Sequence, residues 1–150
     1  MRGRLEEALK AATLARHQRA TSTLRLILAA LRDRDIAERS KGNLAGLSDE
    51  QIIALLHSMV KQRRESIKLY EEGGREDLAR QEAEEIAVIE QFMPPQMSEA
   101  EVNDAVAAVI AETEAKTLKD MGRVMAVLRE RYAGRMDLAR AGSRVKGELT

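Results

Sequence analysis

The chain has 150 residues, room for one domain or two small ones, and its lack of cysteine excludes disulfides and thiolate zinc sites. Apolar residues make up 44 %, yet the aromatics are only Tyr70, Phe92 and Tyr132, so the core must be aliphatic, which suits packed helices better than sheets. Charged residues make up 33 % and cancel to a net charge of zero, which excludes a strongly basic or acidic partner surface spread over the whole chain.

Helical periodicity is present almost throughout. Leu5, Ala8, Leu9 and Ala12 mark a first stripe. Leu24, Ile27, Leu28 and Leu31 mark a second, after a polar break at residues 16–19. Spacings of three and four put such residues on one helix face. The second helix should fade around Lys41-Gly42-Asn43. Ser48 with Gln51 fits a capping box and opens a third helix carrying Ile52, Leu55, Leu56, Met59, Ile67 and Tyr70. Gly73-Gly74 breaks it, and a fourth helix from about Glu76 to Phe92 closes an antiparallel hairpin.

Pro94-Pro95 marks the best domain boundary, giving a helical bundle over 1–95 and a smaller helical unit over 96–150. Ser98 with Glu101 forms a second capping box, opening a fifth helix with Val102, Ala105, Val106, Val109 and Ile110. Thr117 with Asp120 resembles a third and should start a sixth helix, closed by Gly134. Asp137 can cap a last helix carrying Leu138, Ala141, Val145 and Leu149. The expected fold is therefore all-α, about four helices followed by three.

Self-sufficient chemistry is hard to find. His17 and His57 are far apart and lack metal-ligand spacing, so no metal or cofactor is expected. Ser58-Met59-Val60-Lys61 matches a short Ser-x-x-Lys nucleophile pattern, but its companion motifs are missing. No phosphate-cradling glycine loop occurs. The acidic run Glu82, Glu84, Glu85 reads as a solvated helix face, and no catalytic residue is assigned. Without an apolar stretch near about 18 residues or a leader at its start, the chain is expected to be soluble and cytoplasmic.

Charge is segregated beneath the neutral sum. Residues 1–70 hold 14 basic and 8 acidic side chains, residues 71–114 hold 2 and 13, and residues 115–150 hold 9 and 4. His57, Lys61, Arg64 and Lys68 form a ridge on the third helix, which should pair with the acidic fourth helix or serve as a secondary anion surface. Arg63 lies nearer the apolar stripe and is expected to snorkel outward. In the C-terminal unit Lys119 and Arg123 are four apart, as are Arg140 and Arg144, with Lys116 and Arg135 nearby. Cations on adjacent short helices suit a phosphate backbone, and the scarcity of aromatics favours a folded RNA over a stacked single strand.

Several segments carry a family resemblance. Residues 60–67 (VKQRRESI), 70–79 (YEEGGREDLA) and 84–98 resemble the central signature of YqeY proteins. Residues 119–125 (KDMGRVM) and 134–137 resemble their C-terminal motif, so the resemblance spans nearly the whole chain. It implies an N-terminal helical bundle joined to a small helical domain similar to the tail of GatB, the amidotransferase subunit whose tail helps grip tRNA. The family is described under carbon–nitrogen ligation with glutamine as amide donor. The GatB cradle that binds ATP has no counterpart in 150 residues, nor has the amidase serine–serine–lysine machinery. The usual Gly-Arg-Ala-Asp-Gly run reads Gly134-Arg135-Met136-Asp137-Leu138 here.

The resemblance and the basic positions together imply a tRNA-binding accessory of an amidotransferase. Lys119, Arg123, Arg140, Arg144, Lys116 and Arg135 would meet phosphates, while Asp120 and Gly122 shape the helix start. Amidotransferase or tRNA synthetase components are the expected protein partners, with no membrane and no DNA. The alternative is a helical protein-interaction module with no RNA role.

Overall fold

The structure, a computed structural model, describes residues 1–149, and no strand occurs among them. The helices are α1 (Arg2–Leu14), α2 (Gln18–Ser40), α3 (Asp49–Glu72), α4 (Glu76–Glu90), α5 (Glu99–Glu112), α6 (Met121–Tyr132) and α7 (Leu138–Glu148), with a 3-10 turn at Leu118–Asp120. The fold is all-α, as the periodicity requires. The chain divides into two compact units, one covering Met1–Met93 and the other beginning at Pro94. No helix among the described residues is long and apolar enough to cross a membrane.

In the first unit α3 and α4 pack most extensively, α1 lies on α2, and α2 lies on α4. Ser48 accepts a hydrogen bond from the Gln51 amide at 3.2 Å and Gln51 returns one to the Ser48 amide at 2.9 Å, so α3 starts where local chemistry satisfies its free donors. Leu5, Ile27, Ile52, Leu56 and Ile89 are wholly inaccessible. Each stabilises the unit by roughly 2 kcal/mol relative to exposure. Helix α4 stops at Glu90, short of Phe92. Bonds from the Phe92 amide to Ile89 O and from the Met93 amide to Glu90 O tighten the chain into a turn that buries both side chains ahead of Pro94.

Two polar junctions tie this unit together. At the first, Arg63 donates from Nε to Glu85 at 2.9 Å and from Nη1 to Met59 O at 3.2 Å, and Arg19 approaches Glu85 to 4.0 Å. The Arg63 and Glu85 side chains are each only 11 % exposed. This corrects two expectations. Arg63 does not snorkel outward but is held inside the hairpin, and the acidic run of α4 is not uniformly solvated, because Glu85 is buried. Burial, then the nearby Glu85 charge, raises the Glu82 carboxyl above its ordinary range. At the second junction, Asp35 accepts from Arg2 Nε and Nη2 and from the Leu47 amide at 2.8 Å, while Arg2 Nη2 also donates to Leu47 O at 2.8 Å. One carboxylate thus joins the start of α1, the C-terminal part of α2 and the loop before α3.

In the second unit α5, α6 and α7 pack mutually around Val106, Val109, Val124, Leu128, Ala141 and Val145. Ser98 and Glu101 form the expected capping box, and Asp137 accepts from the Ala139 amide at 3.0 Å. The region expected to start the sixth helix is first a 3-10 turn. The Asp120 carboxylate accepts from the Lys116 and Thr117 amides at 2.9 and 3.2 Å, drawing the chain into a tight bend before α6 begins. Upstream, the Met97 amide donates to Arg135 O at 2.8 Å, which fastens the entry segment to the α6–α7 turn.

Candidate functional site

The basic residues of the second unit fall into two groups. One group is tied into the fold. Arg123 donates to Thr113 O at 2.7 Å, satisfying a carbonyl at the end of α5, and sits 3.4 Å from Asp120. The Lys116 and Thr117 amides, with Arg123 nearby, hold the Asp120 carboxyl below the usual carboxylate range. Arg135 donates to Pro95 O at 3.3 Å, and Arg144 pairs with Glu148 at 3.3 Å one turn on. Arg131, outside the expected set, pairs with Glu112 at 2.7 Å across α5 and α6.

The other group is uncommitted. The side chains of Lys116, Lys119, Arg129, Arg140 and Lys146 are exposed and make no ion pair among the described residues, and of these Lys116, Lys119 and Arg140 belong to the expected set. Helix α7 buries Ala141, Gly142 and Val145, so the 100° helical step turns Arg140 and Arg144 to its outward face. Gly142 lies 3.7 Å, by its would-be Cβ, from the ends of Met121 and Met125, where α7 packs closely on α6.

Gly122 sits exposed in the first turn of α6 without a positive φ, and an added Cβ would meet nothing within 4 Å. Its cost to the helix is therefore not offset by any contact inside the unit. Gly122→Ala is expected to stabilise the second unit by about 0.5–1 kcal/mol in thermal unfolding. No gain would mean that this backbone is strained in a way its φ does not reveal.

The ridge on α3 is likewise split. Arg64 pairs with Glu90 at 3.4 Å across the hairpin, while Lys61 and Lys68 make no ion pair among the described residues. The Ser58 hydroxyl donates to Leu55 O at 2.7 Å and is used within its own helix. No group of three or more His, Cys, Asp or Glu suited to a metal occurs among the described residues.

A feature not singled out from sequence lies along the α1–α2 hairpin. One hollow of about 410 Å³ is lined by Thr13, Arg16, Gln18, Thr21, Ser22 and Arg25. A second, of about 510 Å³, is bordered by Leu9, Leu28 and Ile36 and flanked by Arg32 and Arg39. The signal was present in the sequence as arginines seven residues apart on one helix.

Comparison with curated proteins gives no match. The profile of the YqeY-like protein family matches residues 2–149, essentially end to end. With a match of that extent, the chain belongs to the YqeY-like protein family.

Proposed function

We propose that this protein binds tRNA through its C-terminal unit, as an accessory to glutamine-dependent tRNA amidation rather than as the amidating enzyme. One observation carries the reading: Lys116, Lys119 and Arg140 project from the bend before α6 and from α7 with no carboxylate to neutralise them. Cations left unpaired at a surface release counterions when they meet phosphates, which supplies affinity without reading sequence. The chain's membership of the YqeY-like family, taken with the resemblance of its C-terminal segments to the GatB tail, supports the link to tRNA and to an amidotransferase.

The test is binding of unfractionated tRNA, followed by fluorescence anisotropy between about 50 and 200 mM salt. A Lys116→Ala, Lys119→Ala, Arg140→Ala variant is expected to bind about tenfold more weakly, with the slope of log K against log salt shallower by about 2. Arg123 is left intact, because its removal would free the α5 terminus and confuse folding with binding. An unchanged slope rejects the assignment.

A further inference from the structure

We infer that the N-terminal unit carries a second phosphate-contacting surface, an arginine row along α2 that grips the backbone of a bound RNA. This rests on the RNA-binding reading above and extends it to residues that reading does not use.

Arg25, Arg32 and Arg39 follow one another at seven-residue intervals on α2. At 1.5 Å rise per residue they stand about 10.5 Å apart along the axis, and they drift by only about 20° per step. Helix α2 buries Thr23, Leu24, Ile27 and Leu31, which leaves this row on its solvent side. Arg16 extends the row at the α1–α2 turn, where its backbone is left-handed with φ 58°.

Among the arginines of the unit some are committed and some are not. Arg4 lies 5.6 Å over the Phe92 ring, Arg34 and Arg80 make no ion pair among the described residues but stand outside the row, and the rest fall into two sets. Arg2, Arg19, Arg63, Arg64 and Arg75 all make ion pairs. Arg16, Arg25, Arg32 and Arg39 make none among the described residues. A carboxylate does lie within reach in sequence: Asp35 is three residues after Arg32 and four before Arg39, the spacing of helix ion pairs. It is withdrawn from them because Arg2 and the Leu47 amide occupy it, so Arg39 acts on it only at longer range. Glu6 of α1 is the other acid bordering the row.

The surroundings choose between an RNA and an acidic protein helix. The hollow between Arg16 and Arg25 is completed by Thr13, Gln18, Thr21 and Ser22 and holds no carboxylate. The Thr13 and Ser22 hydroxyls donate to Leu9 O and Arg19 O, which leaves the Gln18 amide and the Thr21 hydroxyl as donors beside the two guanidinium groups. That is the donor set of phosphate contacts, and guanidinium groups meet phosphate oxygens in a bidentate way. An amphipathic helix would need apolar anchors along the full row, whereas Leu9, Leu28 and Ile36 lie beside the second hollow only.

The test compares an Arg25→Ala, Arg32→Ala, Arg39→Ala variant with the wild type and with the Lys116, Lys119, Arg140 variant, using unfractionated tRNA. Alanine is the best helix former, so α2 should keep its circular dichroism signal. The expected result is a salt slope shallower by about 2 to 3 and at least about tenfold weaker binding. The matching triple lysine variant should keep the wild-type slope, because counterion release follows charge. A wild-type slope in the alanine variant, alongside a loss in the C-terminal variant, overturns the inference and leaves the C-terminal reading standing. Failure of the wild type to bind tRNA overturns both. Loss of an RNA-independent acidic protein partner, with tRNA binding unchanged, also overturns it.

Discussion

Replacing Arg63 with alanine is expected to destabilise the N-terminal unit by about 3 kcal/mol, several times the effect of any exposed arginine in the chain. Arg63 and Glu85 are each only 11 % exposed and meet at 2.9 Å, so removing the cation leaves a carboxylate buried without its main partner. The Met59 carbonyl loses a donor as well. Arg19, 4.0 Å from Glu85, offsets part of the loss and holds the figure near the lower end for a broken buried pair. The comparison is Arg64→Ala. Its pair with Glu90 is 60 % and 36 % exposed and should be worth under about 1 kcal/mol. Joint replacement, Arg63→Met with Glu85→Leu, should recover most of the stability, because the desolvation of two charges disappears with them. Amide exchange localises the effect: protection should fall in α3 and α4 and stay unchanged in α5 to α7. A loss below about 1 kcal/mol would mean that water reaches the pair and that it behaves like its exposed neighbour.

The junction around Arg63 shows where the sequence is legible and where it is not. The starts of α3 and α5 could be read directly, because Ser48 and Ser98 find their partners three residues away. Arg63 finds Glu85 22 residues away, across a hairpin whose rotation about its own axis no local pattern fixes. A trace was nevertheless present. Ala79, Glu82, Ile86 and Ile89 follow one another at spacings of three and four, so Glu82 stands in the apolar stripe of α4 and Glu85 directly beside it. Arg63 likewise falls four residues after Met59 and four before Ile67. Charges of opposite sign interrupting two apolar stripes of one hairpin point to an internal pair rather than to two wet faces. The basic residues of the C-terminal unit were equally visible as residue types. What sequence could not give was their division into groups held by Thr113, Pro95 and Glu148 and groups held by nothing, since that depends on where carbonyls and carboxylates come to rest.

The second large effect is expected at Gly46, where alanine should cost the N-terminal unit about 2–4 kcal/mol. Two independent penalties add there. The backbone is left-handed, with φ 75°, which costs a residue bearing a Cβ about 1–2 kcal/mol. The new Cβ would also run into the Asp35 carboxylate and come within 3.1 Å of Arg2. Moving Asp35 breaks its bonds to Arg2 and to the Leu47 amide, and losing the partners of these part-buried groups costs roughly 1–2 kcal/mol, the low end of the range for buried ones. Gly42 separates the two terms. Its φ is 95° but nothing lies within 4 Å of its would-be Cβ, so Gly42→Ala should show the backbone penalty alone. Acid provides the independent check. The bond from Arg2, reinforced by the Leu47 amide, holds the Asp35 carboxyl below its ordinary range. A group with a lowered folded value binds fewer protons when folded, so its contribution is complete above the unfolded carboxylate range and disappears as pH falls through the folded one. Asp35→Asn should therefore lower urea stability at neutral pH and flatten its decline in acid, and Gly46→Ala should do the same by displacing the same carboxylate. If Gly46→Ala weakened the unit while the acid limb kept its wild-type steepness, the loss would belong to the left-handed backbone, and Asp35 would still be in place.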